Sequence, residues 1–593
     1  NDAHLGQVLL HLVSAVEHTL RTNLHLSRRH GLALRLDPRI VRFDDRALPY
    51  GVFFVHGRSF NGFHVRFRDI ARGGIRAVRT IGTDQHAREC ERLYDEVYGL
   101  SFAQQLKNKD IPEGGSKGVV LLEPETPVAR CVKAFVDSLL DLITPDPETR
   151  SRIVDRFGHE ELLYLGPDEN ITPELIVWVV DRAARRGYAM PTALMSSKPG
   201  AGINHKTYGV TSEGVCVFLT AALRHVGIDP QKQPFTIKIT GGPDGDVAGN
   251  MIRILDRDFG ANARIVGIAD GSGSGEDPDG LDHEELLRLF REALPIAGFS
   301  REKLGPKGRI VAVDEPDGVN LRNTLHFRVR SDAFVPGGGR PSTIHGGNWR
   351  DYLDDRGQPS SPVIVEGANL FLTPEARRNL SQHGCLIIKD SSANKCGVIT
   401  SSFEIGACML LDEKTFLDIK TIFVEQVLEK LRLLAQREAD LLLRMNRNQP
   451  EVPLFEFSIR LSRVIIRVAD AIEASIDDLE KADRRLMRSL VEQHLPQVLL
   501  DTVGDRIWND LPRPYLRWIM AKSLAARIVY REGFELLEHM NDAVIARSAL
   551  RFLRVEAERR GLAEELRSSG LENRERIASL LDHAGILAVA EEA

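Results

Sequence analysis

Between residues 235 and 389 the sequence returns repeatedly to one device: a short unbroken apolar run, then a helical period or a turn. FTIKIT (235–240), ARIVGIAD (263–270), RIVAV (309–313), PVIVE (362–366) and CLIIK (385–389) are short, and they lack the polar alternation that would leave one face in water. Strands of that kind are buried on both faces, and the helices between them supply the cover. The spacing therefore predicts βαβ units and a parallel sheet. Where FTIKIT meets GGPDGD and then VAGNMIRIL, a glycine-rich turn joins a strand to a helix N-terminus. Backbone N–H groups and the helix dipole at such a turn can face a pyrophosphate, and an acid ending the next strand can accept hydrogen bonds from a ribose. Gly242, Gly245 and Asp270 fit these roles, with Asp270 placed 25 positions after Gly245. The turn departs from G-x-G-x-x-G, and Asp244 and Asp246 bring negative charge toward a phosphate. An ordinary tight βα turn is the competing reading.

Upstream the pattern changes. GVFFVHGRSFNGFHVRFR (51–68) alternates about an Asn-Gly pair and predicts a β-hairpin, and a Gly-Gly turn is expected at Gly73 and Gly74. Residues 84–106 read as a helix and VVLLE (119–123) as a buried strand, so KNKDIPEGGSKG between them reads as a loop. A helix over 131–144 is ended by Pro145 and Pro147. Another follows Thr172, with Thr172 or Asn170 as its cap and Pro173 in its first turn, which makes GPDEN a loop feeding a helix. Residues 1–30 read as an amphipathic helix, and the pattern is helical beyond 402. There Leu461, Val464, Ile465, Val468, Ile472, Ile476 and Leu479 share one apolar face. The Pro/Gly-rich stretches 271–281 and 336–347 read as long loops.

A chain of 593 residues with 42% hydrophobic content can build more than one core, so at least two domains are expected. The formal charge of -6, from 78 Lys+Arg against 84 Asp+Glu, leaves no basic excess for a nucleic-acid partner. Six cysteines lie singly, without CxxC pairs, which suits a reducing compartment and argues against a structural metal. No apolar run approaches a bilayer span, so the expected setting is the cytoplasm without a membrane partner. The chain opens at Asn1 without methionine, as a segment of a longer polypeptide would.

In the loop 107–118, two lysines ten positions apart flank a Gly-Gly pair. One ammonium can hold a carboxylate while the other, partly desolvated, works near its own pKa; a solvated lysine-rich loop has equal standing on these residues alone. The set of motifs carries more. ARGGIR (71–76), AQQLKN (103–108), IPEGGSKG (111–118), PDENIT (167–172), the glycine-rich βα turn, VEGANLFLTPEA (365–376) and NKCGVITSSFE (394–404) occur in an order that resembles the glutamate, leucine, phenylalanine and valine dehydrogenase superfamily, and within it the large bacterial NAD-dependent glutamate dehydrogenases.

That resemblance implies an α/β, two-domain amino-acid dehydrogenase. It would have an N-terminal helical segment (1–44), an α/β substrate domain (45–190), a Rossmann-type NAD-binding domain (191–400) and a helical C-terminal extension (401–593) bracing the substrate domain, with the active site in the cleft. It assigns Lys117 and Asp168 as catalytic groups, with Glu169 adjacent. Lys107 and Gln104 would meet the substrate α-carboxylate, while Arg72 and Ser401 would meet a side-chain carboxylate, favouring glutamate over leucine or valine. Thr211, Asn369 and Asn394 would lie near the nicotinamide, and Gly242, Gly245 and Asp270 on the adenosine side, where the acid favours NAD over NADP. Lys109 has no counterpart and is expected to be solvated, and His64, His205 and His345 carry no partner pattern. Self-association is expected from the resemblance alone. The implied reaction is oxidative deamination of L-glutamate; the alternatives are a catalytically degenerate regulatory or scaffolding module, or a dehydrogenase of another L-amino acid. Taken one by one, Ser401 could cap a helix, Asn369 could satisfy loop backbone and Asp168 could be an N-terminal helix charge.

Overall fold

The hairpin at 51–66 lies inside the first of two sheets in a computed structural model that describes residues 2–44 and 46–583. Its strands are β1 (Thr19–Thr22), β2 (Gly31–Leu36), β3 (Gly51–Gly57), β4 (Phe60–Arg66), β5 (Ala71–Val78), β6 (Gly114–Leu122), β7 (Val154–Asp155) and β8 (Tyr164–Pro167), in the order β7-β1-β2-β3-β4-β6-β5-β8. β5 runs parallel to β6 and β8, while the remaining pairs are antiparallel. The hairpin forms, but Gly57 pairs with Phe60, so the turn is Arg58-Ser59 and Asn61-Gly62 lies within β4. Nor is Gly73-Gly74 a turn: both residues belong to β5, because an added Cβ on Gly73 would fall 1.6 Å from the Ser116 carbonyl oxygen. The glycines let two strands approach closely. Likewise β6 begins at Gly114, so Lys117 stands on a strand and not on a turn.

The helix Val128–Ile143 packs Val132, Phe135, Val136 and Leu139 against Phe53, Val55 and Val120 of this sheet. Side chains of that size contribute roughly 1.5–3 kcal/mol each when fully buried. The first helix ends at Glu17, and β1 and β2 follow, so residues 1–44 are not helical throughout. A buried ion cluster ties these early strands together: Arg21 of β1, Arg35 of β2 and Arg66 of β4 all meet the Glu161 carboxylate.

The second sheet comprises β9 (Phe235–Thr240), β10 (Ala263–Ala269), β11 (Gly273–Glu276), β12 (Arg309–Ala312), β13 (Ala333–Pro336), β14 (Val363–Val365) and β15 (Leu386–Ile388), ordered β12-β11-β10-β9-β13-β14-β15. From β10 to β15 it is the expected parallel sheet. Its other edge departs: β11 arises inside the stretch read as a loop, and β11 and β12 are antiparallel.

Past residue 410 the described chain is helical to His583 apart from its connections. The apolar face read over 461–479 is buried but is shared by two helices, Leu454–Ala474 and Ile476–Ala482. One unit comprises Asn1–Ile203, Ser401–Val424 and Glu473–Ser523; the other comprises Asn204–Thr400, Glu425–Ile472 and Leu524–Ala593. The C-terminal helices are thus divided between both units and do not all join the substrate side. Among the described residues, no helix is long and apolar enough to cross a membrane.

Candidate active site

In the first unit, β5, β6 and β8 lie side by side and bring three motifs together. Lys117 of β6 donates to Asp168 Oδ2, and Asp168 directly follows β8. Gly74 of β5 leaves the opening above this pair, since an added Cβ would stand 3.1 Å from Lys117 Nζ and 3.1 Å from Asp168 Cβ. Burial pushes the Lys117 ammonium below the usual lysine range, with Asp168 opposing and Arg76 and Arg72 reinforcing. For Asp168 burial acts upward, but Lys117 and Arg76 outweigh it, and the carboxyl sits below its ordinary range. Between Asp168 and Glu169 the geometry decides: Asp168 takes Lys117, while Glu169 faces Arg76 at 3.7 Å. The following helix begins only at Pro173, capped by Thr172, so Asp168 is not a helix-terminus charge.

Arg72 of β5 is 7% exposed, and its Nε has no hydrogen-bond partner. A guanidinium is too costly to bury for packing alone, so this arrangement suits a missing carboxylate. Two features beside it escaped the sequence. The Ser196 hydroxyl, also buried without a partner, shares the face of Gly166 with Arg72 Nη2. Glu113 and Glu404, both fully buried, act on Arg72 with their charge. A hydroxyl without a partner next to a guanidinium whose Nε lacks one was legible only in three dimensions.

Lys107 ends the helix Thr83–Lys107 and is half-buried, and Gln104 one turn earlier donates to Asn108 Oδ1 at 2.7 Å. Lys109 overturns its expectation. It is 0% exposed, inside a short turn (Asn108–Asp110) that Asn108 fastens to the Gly114 carbonyl and Lys522 fastens to the Asn108 carbonyl. A charge-rich loop reads as solvated only until a distant helix covers it. Ser401 is buried within the helix Cys396–Leu410, past its first turn, and so does not cap it.

The second unit holds the other six residues. Gly241, with φ 99°, and Gly242 lead from β9 to Gly245, the N-cap of the helix Asp246–Phe259. An added Cβ would stand 2.4 Å from Asp270 Oδ2 at Gly242 and 2.2 Å from the Pro243 carbonyl at Gly249. Gly241 and Gly249 therefore belong with the two glycines read from sequence. The turn opens on a cavity of about 770 Å³ lined by Gly242, Asp270, Arg322, Arg340 and Phe371 among others. Asp270 Oδ1 already takes the Ser272 N–H and hydroxyl, and Oδ2 takes the Ile296 N–H. One lone pair on Oδ2 is left for a ribose hydroxyl. Asp246 Oδ1 is buried without a partner in the first turn of the helix, and burial pushes that carboxyl up.

Asn394 donates to Asn369 Oδ1 at 2.9 Å and to the Gly367 carbonyl at 3.0 Å, which leaves its own Oδ1 buried and unpaired. That acceptor, with the glycine cradle, fits a dinucleotide. Thr211 lies in the first turn of the helix Val210–His225, and an added Cβ on Gly397 would reach its Oγ1 at 2.9 Å.

Residues 2–259 match the family described as bacterial NAD-glutamate dehydrogenase, catalytic domain, and residues 201–448 match the glutamate/leucine/phenylalanine/valine dehydrogenase family. The NAD-specific glutamate dehydrogenase of Neurospora crassa is 36% identical over 548 residues, covering 87% of this chain and 51% of its own length. That of Saccharomyces cerevisiae is 35% identical over 558 residues, covering 87% and 50%. The chain thus spans about half the length of these relatives. A solved hetero-hexameric glutamate dehydrogenase from Thermus thermophilus is similar at 20% identity and TM-score 0.47, covering 77% of this chain and 93% of its own.

Proposed function

Because the chain belongs to the glutamate/leucine/phenylalanine/valine dehydrogenase family, we propose that it catalyses the reversible NAD-dependent oxidative deamination of L-glutamate to 2-oxoglutarate and ammonia. The observation that carries the choice of substrate is Arg72, a buried guanidinium with an unpaired Nε. Its planar fork matches the distal carboxylate of glutamate, whereas a branched aliphatic side chain would bring apolar carbon against a buried cation and leave its Nε without an acceptor. In this reading the orphaned Ser196 hydroxyl and Ser401 complete that end, and Lys107 and Gln104 hold the α-carboxylate.

NAD, when bound, supplies the hydride acceptor. Asn394, Asn369 and Thr211 hold its nicotinamide end, and Gly242, Gly245 and Asp270 its adenosine end. Asp168, ionised beside Lys117, takes the proton from the substrate amino nitrogen. After hydride loss, water adds to the substrate Cα and passes one proton to the Lys117 amine, whose ammonium then holds the carbinolamine oxygen. Asp168 gives its proton to the nitrogen and takes the remaining hydroxyl proton as ammonia leaves and the carbonyl forms, and both groups release their protons to solvent or to the ammonia. Burial, which pushes the Lys117 ammonium below the usual lysine range, favours a group that must accept and release a proton. The reading extends to a cytoplasmic homo-oligomer, and a monomeric mass by light scattering would remove the latter part.

The direct test is reduced-nicotinamide absorbance with NAD and glutamate, against leucine and against NADP. Turnover with glutamate and at least tenfold lower kcat/KM for leucine are expected on the cost of leaving a buried polar group unsatisfied against an aliphatic side chain. Lys117→Ala should lower kcat by about 10²- to 10⁴-fold while NAD binding, followed by fluorescence, is retained. Unchanged turnover in that variant would remove Lys117 from the mechanism.

A further inference from the structure

The substrate half-site holds more charge than one carboxylate needs. Arg72 pairs in register with Gly115 of β6, two positions past Glu113, and with Tyr164 of β8, and the charges of two fully buried carboxyls, Glu113 and Glu404, act on it; the two differ in what else they face. Glu404 accepts the backbone N–H groups of Ser197 at 2.8 Å and Ile203 at 3.1 Å, with the Lys198 ammonium 3.9 Å away. It has a countercharge of its own. Glu113 accepts from two neutral hydroxyls, Ser402 Oγ at 2.6 Å and Tyr515 at 2.8 Å. Tyr164, whose ring meets Tyr515 edge-on at 6.3 Å, is a further titratable group that feels its charge. Arg72 is a cation that acts on Glu113. Burial pushes the Glu113 carboxyl above its ordinary range, with Ser402, Tyr515 and Arg72 opposing.

Charge balance now constrains what substrate binding can do. Lys198 is the larger countercharge on Glu404, while Arg72 acts on both carboxyls, so a substrate carboxylate that engages Arg72 adds a negative charge beside Glu113 and weakens the support that Arg72 gives it. A carboxylate in a dry site without a countercharge neutralises itself. We propose that Glu113 is a specificity-determining residue that takes up one proton when the distal carboxylate of a dicarboxylate substrate occupies Arg72. A substrate with an aliphatic side chain leaves Arg72 to Glu113 and takes up none. The inference rests on the glutamate reading above. Its sign follows from linkage: Glu113 titrates higher in the complex than in the free chain. Between those two values, affinity for a dicarboxylate falls by up to tenfold for each unit the pH rises.

The test is calorimetric titration of the full chain, saturated with NADH, with glutarate and with pentanoate in two buffers of different ionisation enthalpy. About one proton should enter per glutarate bound and none per pentanoate, and Glu113→Gln should abolish the uptake and flatten the pH dependence of glutarate affinity. Tyr515→Phe, which withdraws a donor from the ionised form, should move the uptake window to higher pH, a second readout should Glu113→Gln not fold. Glutarate binding without proton uptake in the wild type, or uptake that persists in Glu113→Gln, overturns the role of Glu113 and leaves the glutamate reading standing. No glutarate binding, together with no NADH formed from NAD and glutamate, overturns both.

Discussion

At the scale of single residues, the centre of the candidate site is a pair of opposite charges tuned by a third. Arg76 Nε lies 3.5 Å from Asp168 Oδ2, and its cation lowers both Asp168 and Lys117. In Arg76→Gln both groups should titrate higher. If Asp168 must be ionised for turnover, the acid limb of the kcat/KM profile moves to higher pH, and the basic limb, to which Lys117 contributes, moves the same way. The two limbs belong to the coupled pair and are read together. A profile that stays in place would show that Arg76 does not tune the pair. The motifs made these residues legible as candidates: Lys117 and Arg72 lie on the neighbouring strands β6 and β5, and Asp168 follows β8 and meets Lys117. What those motifs did not carry was surroundings, because Glu113, Ser196 and Lys109 acquire their meaning from groups far away in sequence.

At the scale of elements, β5 and β6 fit because they have no side chains where they cross. Gly73→Ala would drive a Cβ into the Ser116 carbonyl, and the strands must separate. A loss of about 3 kcal/mol or more is expected in urea unfolding. Gly74→Ala is milder, since its Cβ meets the mobile end of Lys117 at 3.1 Å; the chain should fold with a near-normal Tm while kcat falls. A sequence reader sees Gly-Gly and infers a turn, since the partner strand that demands the glycines is forty positions on. The Glu161 cluster makes the same point for charge. Burial raises the Glu161 carboxyl, but Arg66, Arg35 and Arg21 more than offset it, and its folded value lies below the usual carboxylate range. Its contribution is therefore present above the unfolded carboxylate pKa and lost as pH falls through the folded one. Glu161→Gln should cost about 3–5 kcal/mol at neutral pH by leaving Arg35 and Arg66 without their carboxylate, while Arg21 keeps Asp155 at 2.9 Å, and acid should destabilise the variant less than the wild type. Equal sensitivity to acid would show that the cluster does not govern that limb.

At the scale of the whole molecule, the chain forms two units, and the twelve candidate residues divide evenly between them. Arg72, Gln104, Lys107, Lys117, Asp168 and Ser401 lie in the first, while Thr211, Gly242, Gly245, Asp270, Asn369 and Asn394 lie in the second. NAD alone should slow amide exchange at 241–249 and near Asn394, and glutarate at 72–76 and 113–117. At 100 times its Kd, NAD should stabilise the folded chain by about 2.7 kcal/mol. Protection by NAD confined to the first unit would invert the assignment. The sequence by itself determined the parallel run of strands, a helix start at Thr172 or Asn170, and the family order of the motifs, because apolar period, capping chemistry and motif spacing are local properties. Only the tertiary structure decided that Gly73 and Gly74 lie in a strand, that Lys109 is buried, that Asp168 and not Glu169 meets Lys117, and that the C-terminal helices serve both units. Each of those depends on what covers a residue from hundreds of positions away or from a neighbouring strand, and burial, unlike period, is not written next to the residue it affects.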